Sequence, residues 1–211
     1  TLILGFAFHP TESGSASIGY SFSVASLEAG NQPNVFINFN AASELEVYNG
    51  DNQQIGTSHA IPVGAWSYIE LKVTFSATVG ACELRINGET MFDLTGLDTI
   101  DNSSPGDYAD RLRLHGENSI TWHIDDLYLC NTAGSVNNDF LGDVRVETIY
   151  ADADSAVAWS RSGGSTNYEN VDETATDFDT SYVYSSTAAQ KDLYDYAALT
   201  ANVNTVFGVC V

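Results

Sequence analysis

Residues 119–130, S-I-T-W-H-I-D-D-L-Y-L-C, decide the fold. Trp122 and Ile124 share one face of a strand, whereas Leu127 and Leu129 have the opposite parity. A strand buried on one side keeps one parity, so the change of phase at Asp125-Asp126 has two readings. A one-residue β-bulge at the aspartates restores the register. A central strand with apolar neighbours on both faces needs no bulge. Under either reading this is a core strand that closes one β domain and leads into another segment.

Upstream, W-S-Y-I-E-L-K-V-T-F (66–75) alternates cleanly, with Ile69, Leu71, Val73 and Phe75 inward and Glu70, Lys72 and Thr74 outward. Cys82, Leu84 and Ile86 repeat the inward set. Asn87-Gly88 is the dipeptide of a two-residue hairpin and leads into Glu89–Leu94. These three segments form an antiparallel meander, with 66–75 beside 81–87. Residues 1–9 put Leu2, Leu4, Phe6 and Phe8 on one side, and 17–25 do the same with Ile18, Tyr20, Phe22 and Val24. With the turn Pro10–Gly14 between them, the two are expected to pair antiparallel. Val35–Phe39, Glu44–Tyr48 and Arg111–His115 are shorter strands, and 95–110 is a loop rich in Asp, Asn, Ser, Gly and Pro. The expected fold over 1–130 is all-β, an antiparallel two-sheet jelly-roll sandwich.

Residues 131–142 are a polar linker. Asp143–Tyr150 alternates as a new strand, Tyr182–Tyr184 and Val206–Val211 follow as strands, and 188–199 is the one segment with a helical flavour. The span 143–211 is therefore expected as a smaller β-rich unit, marginal on its own at this size. Apolar strands at both ends suggest a piece of a longer polypeptide.

The 211 residues include 7 Lys or Arg and 28 Asp or Glu, a formal net charge of −21. The charge is spread along the chain: 4 basic and 16 acidic residues in 1–130, and 3 and 12 in 131–211. No continuous basic groove for a phosphate backbone can form, which argues against nucleic acid as a partner. No apolar run is long enough to span a membrane. Cys82, Cys130 and Cys210 form no C-x-x-C pair, and an odd count does not make a disulfide framework.

No catalytic motif stands out. Glu44 and Glu46 point the same way on one strand, a pairing open to glycoside hydrolysis but equally to a solvated strand face. Asp126 is expected to accept backbone N–H groups and pin its strand. Asp98, Asp101, Asp107 and Asp110 in the long loop, and the denser Asp172, Glu173, Asp177 and Asp179, offer hard oxygens for calcium or simply a solvated edge; neither group has an EF-hand frame. Trp66 and Trp122 are expected at the core or its rim. Trp159, in a polar glycine-rich stretch, and Tyr168 are the candidates for an exposed glycan contact.

Trp66, Asn87-Gly88 and Asp125-Asp126 carry a resemblance. The succession 66–75, L-R-I-N-G (84–88) and I-D-D-L-Y-L (124–129) resembles concanavalin A-like, laminin-G-like jelly rolls, in which a Trp-led strand, an Asn-Gly turn and a closing strand with an Asp-Asp pair are structural. Glucanases of that superfamily carry a catalytic E-x-D-x-E-type strand, and Glu44-Leu45-Glu46 lacks the third carboxylate. Beyond it, F-L-G-D-V-R-V-E-T (140–148), W-S-R-S-G-G (159–164), V-D-E (171–173), D-F-D-T-S-Y-V (177–183) and K-D-L-Y (191–194) resemble structural proteins of tailed bacteriophages. The resemblance implies a non-catalytic virion component: a capsid decoration, head fibre or tail-associated protein with a lectin-like domain for surface or host attachment. It also implies other virion proteins as partners, a homo-oligomer (a trimer by likeness to phage fibres) and cell-surface glycans as ligands. The alternatives are a carbohydrate-binding module and, more distantly, a glycoside hydrolase.

Overall fold

A computed structural model describes residues 1–13, 22–115, 121–175, 178, 180–199 and 205–209. The chain divides into two compact units, Thr1–Val146 and Glu147–Val211. The division falls at Val146/Glu147, so the expected linker 131–142 and the start of the expected second unit belong to the first.

The first unit contains β1 (Leu2–Pro10), β2 (Phe22–Ala29), β3 (Gln32–Phe39), β4 (Glu44–Asn49), β5 (Gln54–Ala60), β6 (Ser67–Thr74), β7 (Gly80–Ile86), β8 (Glu89–Leu97), β9 (Arg111–Leu114) and β10 (Trp122–Asn131). They form two antiparallel five-stranded sheets: a front sheet β10-β1-β6-β7-β8 and a back sheet β5-β4-β3-β2-β9. The chain crosses between sheets after β1, β5, β8 and β9, so the last two strands flank the first two, β10 beside β1 and β9 beside β2. This wrapping is that of a jelly-roll sandwich.

The expected meander is present: Leu71 faces Leu84 and Val73 faces Cys82 across β6 and β7. Asn87 and Gly88 both have positive φ, 51° and 81°, as a two-residue turn matching the strand twist requires. The expected pairing of 1–9 with 17–25 is not. β1 carries the expected inward parity, but in β2 the register shifts between Ser23 and Ala25 and the core residues are Ala25 and Leu27; the two strands sit in opposite sheets, their apolar faces meeting across the core and not edge to edge. Ile18 and Tyr20 lie outside the described residues. Strand β5 was not foreseen; Q-I-G-T-S-H-A has Ile55 as its one large apolar side chain and pairs as an edge strand.

The core fills the space between the sheets. Phe6, Phe8, Phe39, Leu45, Ile69, Leu71 and Leu84 are fully buried, each stabilising the fold by about 1.5–3 kcal/mol relative to exposure. Phe8 and Phe39, from opposite sheets, meet edge to face at 5.6 Å.

The bulge reading of 119–130 is the one realised, for the described part from Thr121 on. Ile124 pairs with Phe8 and Leu129 with Leu4, and the register slips opposite the step from Gly5 to Ala7. β10 is an edge strand and not the expected core strand, so Leu127 and Leu129, on the core side by register, remain 38% and 47% exposed. Asp126, with φ 53°, supplies the extra residue. Past the bulge the odd positions turn inward, and Tyr128 and Cys130 move to the outer face.

A strap formed by residues 139–146 lies over that outer face. The Tyr128 hydroxyl donates to Glu70 Oε1 at 2.6 Å, and the Gly142 N–H donates to the same oxygen at 2.8 Å. The Val146 N–H donates to Asp126 Oδ1 at 2.8 Å. Lys72 pairs with Asp139 at 2.8 Å, and the Arg85 guanidinium sits 4.0 Å above the Phe140 ring. Asp143–Tyr150 is not a strand: its apolar residues alternate in sequence, but the Val146 N–H goes to a carboxylate and the Val144 N–H closes a turn onto the Gly142 carbonyl.

The second unit holds β11 (Ala151–Ala156) paired with β14 (Leu193–Tyr196), β12 (Ser160–Arg161) paired with β13 (Val183–Tyr184), and a single 3-10 turn at Tyr168–Asn170. The helical flavour of 188–199 is overturned by β14. Residues 206–209 form no strand, and Cys210 and Val211 lie outside the described residues. This unit is organised by polar contacts. Asn167 is fully buried; its amide donates to Asp192 Oδ2 at 2.6 Å and to the Trp159 carbonyl at 3.0 Å. Asp192 also accepts the Ala158 and Trp159 N–H groups, each at 2.7 Å. Burial opposes ionisation of Asp192, but these donors outweigh it and hold its carboxyl below the usual range.

Candidate functional site

The outer face of the front sheet runs in rows set by the register. Tyr128, Gly5 and Glu70 form the row beneath the strap. In the next row, Asp125, Ala7 and Tyr68, Val144 of the strap packs on Ala7 and Tyr68, and the row beyond it is His123, His9 and Trp66. There the surface opens into a cleft of about 220 Å³, lined among others by Trp66, Tyr68, Asn87, Asp125, Asp143 and Arg145.

The floor is Ala7, whose single methyl leaves room between Asp125 and Tyr68. Trp66 stands half exposed at 51%, a large apolar ring outside the core where a core or rim position was expected. It packs against the His9 ring at 5.2 Å, and His9 packs against His123 at 5.7 Å. Asn87 is fixed by the hairpin: its Oδ1 accepts the Tyr68 N–H at 2.8 Å, and its own N–H returns to the Tyr68 carbonyl at 2.8 Å.

Asp125 and Asp126 divide their work at the bulge. Asp125 is exposed and accepts the Asp126 N–H at 2.8 Å. Asp126 is buried, takes the Val146 N–H and pairs with Arg145 at 3.3 Å. The Tyr68 hydroxyl donates to the Asp126 carbonyl at 3.0 Å. Burial first, and the Glu70 charge second, push the Tyr68 phenol well above its ordinary pKa, so it is a neutral donor at any physiological pH.

Four residues singled out in the sequence thus meet here: Trp66, Asn87, Asp125 and Asp126, with Gly88 completing the turn. Trp122 is apart from them, packed against Phe8 at 6.4 Å on the core side. Sequence reasoning missed Ala7, Tyr68, Asp143 and Arg145. One signal was available for the row beneath the strap. Gly5 interrupts an apolar strand, and a glycine there marks a close approach; a Cβ at Gly5 would stand 2.0 Å from the Tyr128 ring.

The other sequence candidates stand elsewhere. Glu44 and Glu46 lie on β4 and share one amide: Asn40 Nδ2 donates to Glu44 Oε2 at 3.0 Å and to Glu46 Oε1 at 2.9 Å. Asp101 caps the Ser103 N–H at 2.6 Å, and Asp98 accepts the Ile100 N–H at 3.2 Å, so both fold their own loop. Trp159 and Tyr168 are half-buried in the second unit, and the Tyr168 N–H donates to Asp154 Oδ1 at 2.7 Å. Glu173 accepts from Ser181 Oγ; Asp172 is half-buried, and Asp177 and Asp179 lie outside the described residues. Among the described residues, no group of three or more His, Cys, Asp or Glu side chains is arranged to hold a metal ion, and no helix is long and apolar enough to cross a membrane.

No family model matches the chain, and no curated protein matches it. Among solved structures it is similar to the native heptameric SAP-like pentraxin from Limulus polyphemus, at 14% identity and a TM-score of 0.40, over 61% of this chain and 62% of that one. It is also similar to the alginate lyase Aly36B, at 11% identity and a TM-score of 0.36, over 55% of this chain and 58% of that one. The chain spans less than two thirds of the length of either.

Proposed function

We propose that this chain is a non-catalytic saccharide-binding protein of a virion surface, with the front-sheet cleft as its binding site. The half-exposed Trp66 ring at the mouth of that cleft carries the proposal. A saccharide pairs an apolar C–H face with a rim of hydroxyls, so its site combines an aromatic platform with fixed polar side chains. Trp66 supplies the platform, and Asn87, Asp125, Asp143 and Arg145 supply donors and acceptors around it. The carboxylates outnumber the one guanidinium, which favours a neutral sugar over an acidic one. A reaction is not part of the proposal.

The virion setting rests on the resemblance of 140–148, 159–164, 171–173, 177–183 and 191–194 to phage structural proteins. A homo-oligomer, a trimer by that resemblance, and contacts with other virion proteins belong to the same reading. So do cell-surface glycans as the ligand.

Trp66→Ala and wild type are to be compared on an array of neutral cell-surface glycans, with the fold monitored by circular dichroism. Binding to at least one neutral glycan is expected for wild type, with a loss of tenfold or more in the variant at unchanged fold, which corresponds to about 1.4 kcal/mol or more. Equal binding by both proteins would remove the cleft from consideration. The virion setting is checked separately by counting copies of the chain on a purified particle.

A further inference from the structure

The outer face of the back sheet carries a second set of groups that the cleft does not use. The register puts Arg113, Ser26, Phe36, Tyr48 and Gln54 in one row across β9, β2, β3, β4 and β5. The row beside it contains Asn38 and Glu46. This face is polar, yet Ser26, Glu28, Asn38 and Glu46 are each at least nine-tenths buried. Phe36 and Tyr48 stack at 5.6 Å with their planes 12° apart.

Strand β9 and the residue after it, R-L-R-L-H at 111–115, place Arg111, Arg113 and His115 on this face by simple alternation. The chain has only seven Lys and Arg residues in all, so two of them and a histidine on one short edge strand is a marked concentration. Both guanidiniums lie near one buried carboxylate: Arg113 is 3.3 Å and Arg111 3.6 Å from Glu28 Oε2. Glu28 is the carboxylate that both approach, Asp110 precedes Arg111 with its carboxylate on the Gly30 N–H, and the Arg113 and Arg111 side chains remain 47% and 45% exposed.

Proton directions settle the role of Ser26. Its hydroxyl donates to Glu28 Oε1 at 3.0 Å, and its oxygen lies 2.9 Å from His115 Nε2. The single hydroxyl hydrogen goes to the carboxylate, so His115 donates Nε2–H to Ser26 and cannot act as its base. The trio is a rigid scaffold that orients Arg113, not a nucleophile with its activator.

We infer that this back-sheet face is a second saccharide site, and that its β9 edge takes the carboxylate of an acidic, uronate-type sugar. Arg113 presents a planar fork for the carboxylate. The stacked Phe36 and Tyr48 rings stand further along the same row for an adjoining unit, with Glu46 held behind them by Asn40, Ser58 and Tyr48. The charge complementarity is local, because the chain as a whole is acidic and repels a long polyanion at low salt. A short oligomer at moderate ionic strength is therefore the appropriate ligand. The inference does not depend on the Trp66 cleft.

The probes are a galacturonic acid tetramer and its fully methyl-esterified counterpart, titrated into the intact chain near 0.15 M salt and followed by amide NMR shifts. Expected are shifts on β9, β2 and β3, and affinity for the acid at least tenfold above that for the ester. Arg113→Gln should remove most of that preference, and Arg113→Lys should restore only part of it, since lysine lacks the fork. Trp66→Ala should leave it unchanged. Equal affinity for acid and ester, shifts confined to the Trp66 cleft, or no shift with either probe would overturn the inference. The mapping on wild-type protein decides the matter even where an Arg113 variant does not fold.

Discussion

The row Tyr128, Gly5, Glu70 shows how much one residue can decide. Tyr128 reaches from β10 across β1 to β6 only because Gly5 has no side chain beneath its ring. Its hydroxyl donates to Glu70 and accepts the Leu141 N–H at 3.2 Å, so one phenol ties three strands to the strap. Burial first, and the hydrogen bond to Glu70 second, push the Tyr128 pKa far above its ordinary value. The unfolded chain would lose this proton near pH 10 and the folded chain would not. The unfolded state then binds fewer protons, so stability is full below about pH 10 and falls above it, by about 1.4 kcal/mol per pH unit for each such tyrosine. Tyr68 shares this behaviour. Urea midpoints between about pH 8 and 11 test this. Tyr128→Phe is expected to cost about 1–3 kcal/mol at the lower pH, where the Leu141 N–H loses its acceptor, and to decline less steeply above pH 10. Parallel slopes for the two proteins would show that Tyr128 is not the titrating group.

At the level of elements, the bulge and the strap are one device. The extra residue that restores the parity of β10 also sends the Asp126 carboxylate to the outer face, where it holds Val146 and Arg145. Asp126→Ala removes the acceptor and places alanine at a positive φ, at a combined cost of about 2–4 kcal/mol. Asp126→Asn keeps a carbonyl oxygen and tolerates the backbone, and should cost less than half as much. Hydrogen exchange at the Val146 and Gly142 amides should accelerate sharply in the alanine variant and slightly in the asparagine variant. Unchanged protection in both would mean that the strap is held elsewhere. The bulge was legible as one of two readings because apolar parity is a strict period of two: Trp122 and Ile124 against Leu127 and Leu129 require either an inserted residue or a strand apolar on both faces. The same rule gave the meander at 66–94. It failed where the pattern carries no partner information. The alternation in 1–9 and 17–25 looks like a hairpin, but parity does not say which strand lies alongside, and in β2 it does not survive the register shift between Ser23 and Ala25. Val144, Val146, Thr148 and Tyr150 alternate like a strand, yet the Val146 N–H goes to the Asp126 carboxylate and the Val144 N–H to the Gly142 carbonyl, partners that spacing does not reveal. The cleft was half legible: its aromatic and acidic members stand in recognisable motifs, whereas Ala7 and Arg145 gain their role only from what the fold sets beside them.

For the molecule as a whole, the two units stand in contrast. The first buries a continuous apolar core between its sheets. The second is held by Asn167, Asn170, Asp154 and Asp192 bonding to backbone groups, and among its described residues Ala151 is the one buried apolar side chain. Val157, Tyr184, Leu193, Tyr196 and Val206 are each at least half exposed. Two-stranded ribbons are marginal in water without further strands or a packed face, and apolar side chains displayed at this density mark an association surface. Self-association is the expected outcome, with the apolar surface of the second unit driving it and the net charge of −21 per chain opposing it. Salt screens the repulsion and leaves the apolar contribution intact. Sedimentation velocity on the purified chain should therefore show little assembly near 0.02 M salt and a heavier species near 0.5 M, where the screening length falls to about 4 Å. Leu193→Asp, on the edge ribbon of the second unit, should shift that transition to higher salt while leaving the first unit folded. A monomer at every salt and protein concentration would show that the second unit is sufficient in itself, with its polar network as the whole of its stability.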